Sequence, residues 1–223
     1  MGMMIFGNHK TECKEFPCRW RRRKQARPEE IIEAALALFT EKGYAATRLD
    51  DVAKRAGISK GTLYLYFDSK EAIFRAVVET LIGPHLQQIE KLVDEFSGSN
   101  QALLRQLIHG WWKNVGESSL SAIPKLIVSE SGNFPELAAY FVKHVIKRGR
   151  KVFVRVLERG MAAGEFRECD AQMAARLLLA PLVHTAIWKH SLCHWDDIGD
   201  VSAYIDLHLN TYFNGLASGA AKK

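Results

Sequence analysis

No apolar run in this 223-residue chain approaches the roughly 20 residues of a membrane span, so no membrane partner is expected. Cysteine is scarce. Cys13, Cys18, Cys169 and Cys193 are too scattered for a disulfide framework, and Cys13 and Cys18 lack a second ligand pair at zinc-finger spacing. All four read as free thiols. The short apolar start comes before the first charges, the reverse of a secretory signal, so a cytoplasmic location is expected. Catalytic patterns are missing too. There is no nucleophile elbow, no phosphate-binding glycine loop and no dinucleotide glycine pattern, so neither an enzyme nor a cofactor is expected. The basic run 147–151 (KRGRK) reads as a solvated helix face.

Alternating strands and internal repeats are also absent, which leaves an all-α fold built from apolar residues at helical spacing. The first helix is expected over 28–42. Pro28 suits a first helical position, Glu29 and Glu30 favour a helix N-terminus, and Gly43 stops the helix. Ile31, Ala34, Ala35, Leu38 and Phe39 form its inner stripe. Later helices are expected over 70–82, 84–96, 101–115, 120–129, 135–163, 171–192 and 198–216. Gly83-Pro84 is expected to interrupt the chain between the first two of these, and Pro181 to kink the helix over 171–192.

Between the first helix and residue 70 lies the stretch TRLDDVAKRAGISKGTLYLYFDSK, residues 47–70. Thr47 with Asp50 has the spacing of a capping box, and Leu49, Val52, Ala53 and Ala56 follow a helical period. Gly57 ends that short helix, and Ser59 can cap the next, whose Leu63 and Phe67 face inward. Two short helices about a glycine turn, the second carrying hydroxyls, aromatics and a lysine, form a helix-turn-helix pattern that places the second helix in the DNA major groove. Charge is placed to suit. Residues 1–70 carry 14 Lys/Arg against 9 Asp/Glu, whereas residues 71–223 carry 17 against 16. Residues 1–27 are expected to be a disordered arm, whose run from Arg19 to Arg27 can follow the backbone or enter the minor groove.

Three spaced segments, IIEAALALF, GYAATRLDDVAKRAGISKGTLYLYF and SKEAIF, resemble the DNA-binding domain of the tetracycline-repressor (TetR) family from about Ile31 to Phe74. The phrase LIVSESGNFPEL before a long helix resembles one branch of that family, some of whose members control efflux pumps. The resemblance implies a helix-turn-helix domain at 28–72 and a ligand-binding and dimerisation domain at 73–217. It implies a homodimeric repressor of a double-stranded DNA operator, released by a small-molecule effector. On that basis Lys60, Gly61, Thr62, Tyr64 and Tyr66 lie against DNA, and Thr47 and Lys70 touch its backbone. Ser59 joins them because free N–H groups at a helix start favour phosphate. The helix has no arginine or glutamine, so phosphate contacts and DNA shape must supply much of the affinity. The competing reading is an all-α small-molecule-binding protein or enzyme with a vestigial helix-turn-helix.

Beyond residue 74 the signals are weaker. The helices over 135–163 and 171–192 carry apolar residues on more than one face, which fits a four-helix interface between two subunits. Trp111, Trp112, His144, Met161, His184 and Trp188 are candidates to line an apolar effector pocket, although each also suits a plain core. His190 and His194 lie four apart on one helical face with Cys193 beside His194, a spacing that can hold a metal, but a third ligand from elsewhere, such as His184, would be needed, and no metal is expected. Tyr64→Ala is expected to weaken operator binding by about 1–3 kcal/mol with the fold intact, measured by fluorescence anisotropy. Unchanged affinity would remove the second helix from the interface.

Overall fold

The computed structural model describes residues 28–216. The basic arm, Cys13 and Cys18 therefore lie outside the described residues. The fold is all-α. The helices are α1 (Pro28–Lys42), α2 (Leu49–Arg55), α3 (Lys60–Tyr64), α4 (Lys70–Val77), α5 (Gly83–Glu95) and α6 (Asn100–Trp111), followed by α7 (Ile123–Glu130), α8 (Pro135–Phe141), α9 (Lys147–Ala162), α10 (Ala171–Lys189) and α11 (Val201–Leu216).

Two apolar cores organise these helices. The first joins Ile31, Leu38 and Phe39 of α1 to Val52, Leu63, Ile73 and Phe74, and runs on to Ile127 and Phe141. The second holds Leu104 and Ile108 of α6, Val156 and Leu157 of α9, Leu178 and Leu182 of α10, and Leu209 of α11. The first core thus ties the N-terminal three-helix unit to α7 and α8 without a break at residue 72.

Three helices continue through short π-helical segments: Val78–Ile82, Trp112–Gly116 and Val142–Ile146. The expected interruption at Gly83-Pro84 is absent for this reason. Pro84 has no N–H, and its ring clashes with an α-helical carbonyl four residues back. The wider turn shifts the bonding, and the Gly83 N–H reaches the Val78 carbonyl instead. One rod therefore runs from Lys70 to Glu95. Pro181 likewise sits inside α10, and the Thr185 hydroxyl donates to the Pro181 carbonyl at 2.8 Å.

The turn between α1 and α2 is the most heavily bonded junction. Gly43 takes φ 87°, the left-handed conformation that lets α1 end and the chain reverse. The Lys70 ammonium donates to the carbonyls of Tyr44 (2.5 Å), Ala45 (3.2 Å) and Thr47 (3.2 Å), so each of its three protons has an acceptor. It also lies 4.3 Å from the Tyr44 ring centre and 5.5 Å from that of Phe134. The half-buried ammonium is pushed below the usual lysine pKa by burial, against the pull of Glu71 and Glu130. From the other side, the buried Glu130 carboxylate of α7 accepts the Ala45 N–H at 3.2 Å, and the Phe134 ring meets Tyr44 edge-on at 4.8 Å. Lys70→Met is expected to lower stability by about 2–3 kcal/mol, because three carbonyls lose a charged donor. Urea denaturation measures the loss.

Candidate nucleic-acid interface and effector cavity

The reading unit is set by local capping. Gly57 takes φ 68°, and the Ile58 N–H returns to the Ala53 carbonyl at 3.0 Å, which closes α2 and aims the chain into α3. Ser59 accepts the Thr62 N–H at 3.1 Å and shares a 2.8 Å hydrogen bond with the Thr62 hydroxyl. Leu63 is fully buried and Phe67 packs against the same core. That anchoring leaves Ser59, Lys60, Gly61, Tyr64 and Tyr66 exposed on one small surface, with Thr62 half-buried among them. Leu65, absent from the expected set, is 84% exposed between the two tyrosines.

Two expected backbone contacts are occupied elsewhere. Thr47 is only 2% exposed, and its hydroxyl donates to the carbonyls of Gly43 (2.7 Å) and Leu38 (3.2 Å). It thus closes the C-terminus of α1, and the capping box with Asp50 does not form. Arg48 is the N-cap of α2, with no side-chain cap. The reason is competition. The last carbonyls of α1 lack partners, and the Thr47 hydroxyl lies within their reach. Lys70 is likewise committed to the turn carbonyls described above, so its ammonium is not free for phosphate.

Charge on this unit differs from the sequence expectation. Residues 28–70 carry 6 Lys/Arg against 7 Asp/Glu, and the basic excess belongs to residues 1–27, with 8 against 2. Within the unit, Lys60 pairs with Asp50 at 2.8 Å, Arg55 with Glu41 at 2.6 Å and Lys42 with Asp51 at 3.6 Å. The hydrogen bond and charge of Asp50 hold the Lys60 ammonium above its usual pKa. Such exposed pairs are individually weak. Arg48 and Lys54 stand exposed beside them.

A cavity of about 230 Å³ lies among the helices behind this unit. Ile82, Val115 and Val145, one from each π-helical segment, contribute to its wall, along with Leu86, Trp111 and Phe141. Its polar lining comprises the amides of Gln88, Gln106 and Asn114, the His85 imidazole and the Trp111 indole, and among the described residues no lysine or arginine lines it. Of the expected effector residues only Trp111 lines this cavity. Trp112 and Met161 are buried in the second core, His144 stacks on Tyr140 at 4.3 Å, and His184 lies 5.3 Å from Trp188. The Trp112 ring, centred 6.2 Å from that of Trp111, packs into the second core instead. Gly110, Pro84 and Pro124 were the available sequence signals, since small or helix-bending residues let helices part.

A second, more open groove of about 840 Å³ runs past Trp112, Lys189 and Cys193. Beside it the His190 ring bonds the buried Ser121 hydroxyl at 2.7 Å, and burial, then the Lys189 and Lys125 charges, push its pKa down. Cys193 donates back to the Lys189 carbonyl, and His194 meets Trp195 edge-on. Among the described residues no group of three His, Cys, Asp or Glu side chains is placed to hold a metal.

Comparison with known proteins follows these two regions. Residues 31–77 match the model of the bacterial regulatory proteins, tetR family, and residues 102–202 match that of the AefR-like transcriptional repressor C-terminal domain. The fatty acid metabolism regulator protein of Bacillus subtilis (strain 168) is 26% identical over 165 residues, 73% of this chain and 84% of that protein. The HTH-type transcriptional regulator YfiR of the same organism is 32% identical over 149 residues, 65% of this chain and 70% of that one. Among solved structures, SmeT, the repressor of the Stenotrophomonas maltophilia multidrug efflux pump SmeDEF, superposes with TM-score 0.68 at 25% identity, covering 88% of this chain and 93% of that chain. Asp50→Asn is expected to release Lys60 and tighten DNA binding. The slope of log affinity against log salt should steepen by about 0.9, the share of one added phosphate contact.

Proposed function

Because the chain belongs to the TetR family of bacterial transcriptional regulators, we propose that it is a cytoplasmic, homodimeric repressor released from its operator by a small, uncharged, largely apolar molecule. Residues 28–72 read DNA, and residues 73–217 bind the effector and the second subunit. Its described relatives are regulators of transcription, not enzymes.

The observation that carries this reading is the continuity between cavity and reading unit. Ile82 lines the cavity at the end of the π-helical segment Val78–Ile82, and that segment extends α4, whose first residue Lys70 grips the turn before α2. A molecule in the cavity that favours one setting of this rod biases the position of α3. It does so only to the extent that its affinity differs between the settings. The walls favour an apolar ligand with one hydrogen-bonding group, and the absence of lining cations disfavours an anionic one. A pump or fatty-acid operon fits the relatives' roles.

Dimerisation is supported by a second apolar surface. Met173 (60% exposed), Leu177 (67%) and Leu207 (67%) stand outward on α10 and α11, with Tyr204 nearby in sequence. The apolar residues of α9, which the sequence also suggested for this role, are mostly buried in the second core. A second copy of the chain covers that face in this reading.

The test is anisotropy on the gene's own upstream DNA, with and without neutral lipophilic compounds, at several salt concentrations. We expect two chains per site and release by compounds that leave non-specific binding unchanged. A monomer in sedimentation at micromolar concentration, or sequence-indifferent binding throughout, would refute the reading.

A further inference from the structure

We infer that Leu65 is a base-reading residue, selecting a thymine in each half-site by contact with its C5-methyl group; the inference rests on the DNA-binding reading of α3. An exposed leucine by itself says little, since single apolar residues are common on surfaces. Its position here is what matters. Leu65 is the most exposed of the large apolar side chains among the described residues. Of the others, Met173, Leu177, Tyr204 and Leu207 belong to α10 and α11. Leu65 instead ends the helix that faces the major groove.

The neighbours narrow its role. The Leu65 N–H bonds the Thr62 carbonyl at 3.3 Å and its φ and ψ are helical, so the helical turn of α3 continues through it. Residues three and four apart share a helix face, which puts Leu65 beside Thr62 and Gly61. Gly61 has no side chain to hold the groove floor away, and a Cβ there would meet nothing closer than 3.9 Å. Two polar groups on this surface already have partners: the Thr62 hydroxyl with Ser59, and the Lys60 ammonium with Asp50. Leu65 has neither donor nor acceptor. In the major groove the apolar group that distinguishes one base pair from another is the thymine methyl. A leucine at this point thus supplies sequence preference where the helix lacks arginine and glutamine.

The experiment uses the full-length protein. A high-affinity duplex is first selected from a random-sequence pool. Each thymine is then replaced in turn by deoxyuridine, which removes only the methyl group. The wild type is expected to bind about fourfold more weakly at one position per half-site, the worth of one buried methyl group. Leu65→Ala should bind the parent duplex more weakly by a similar factor and be indifferent to that replacement. Placing 5-methylcytosine there should restore part of the wild-type affinity lost on a thymine-to-cytosine change. Wild-type binding insensitive to every deoxyuridine, or a Leu65→Ala variant that keeps the sensitivity, overturns the inference. Failure to select any duplex above non-specific binding overturns the DNA reading itself, and this inference with it.

Discussion

A single ammonium group holds the reading unit in register with everything behind it. Lys70 is the first residue of α4, and its three protons end on the carbonyls of the turn that launches α2. The same turn receives Glu130 and Phe134 from the C-terminal side. The turn is therefore defined by residues from both sides of the position-72 boundary. Removing a charge here leaves carbonyls without donors, a larger loss than an ordinary surface lysine would cause. The junction also explains why the first core passes through residue 72 without interruption.

The N-terminal helices were legible because their signals are local. α1 runs over Pro28–Lys42 as its proline, acidic first turn and closing glycine imply. Ser59 caps α3 and Gly57 takes a positive φ, both from patterns that need only four or five neighbouring residues. Thr47 shows where such reasoning stops. One hydroxyl lay between two helix ends, and its spacing to Asp50 could not reveal that α1 would take it. Lys70 is similar, since nothing local distinguishes a phosphate-seeking lysine from one that closes a turn 23 to 26 residues earlier.

The cavity was mostly illegible for a different reason. Aromatic residues were chosen for size, yet a cavity forms where helices fail to meet. Trp112 and Met161 are large and buried, and they fill the second core instead. The cavity is framed by Ile82, Leu86, Val115 and Val145, ordinary aliphatic residues whose convergence depends on tertiary packing. Charge misled in a milder way. The excess in the first 70 residues is real, but the folded reading unit is close to neutral, and three of its six cations are held by carboxylates. Contacts made by α3 must then rely on shape, hydroxyls and apolar atoms more than on net charge.

The π-helical segments carry a geometric consequence. A π turn spans one residue more than the α-helical hydrogen bond it replaces, and one residue of α-helix is about 100° of rotation. Each segment therefore resets the angular phase of the helix that follows it. In the rod from Lys70 to Glu95, Ile73, Phe74 and Val77 serve the first core before the reset and Leu86 still touches it one turn after, while Val93 serves the second. A straight helix of unchanged phase would keep offering one stripe in one direction. The extra residue works as a fixed gear offset, letting one continuous element face two interiors that lie on different sides of it.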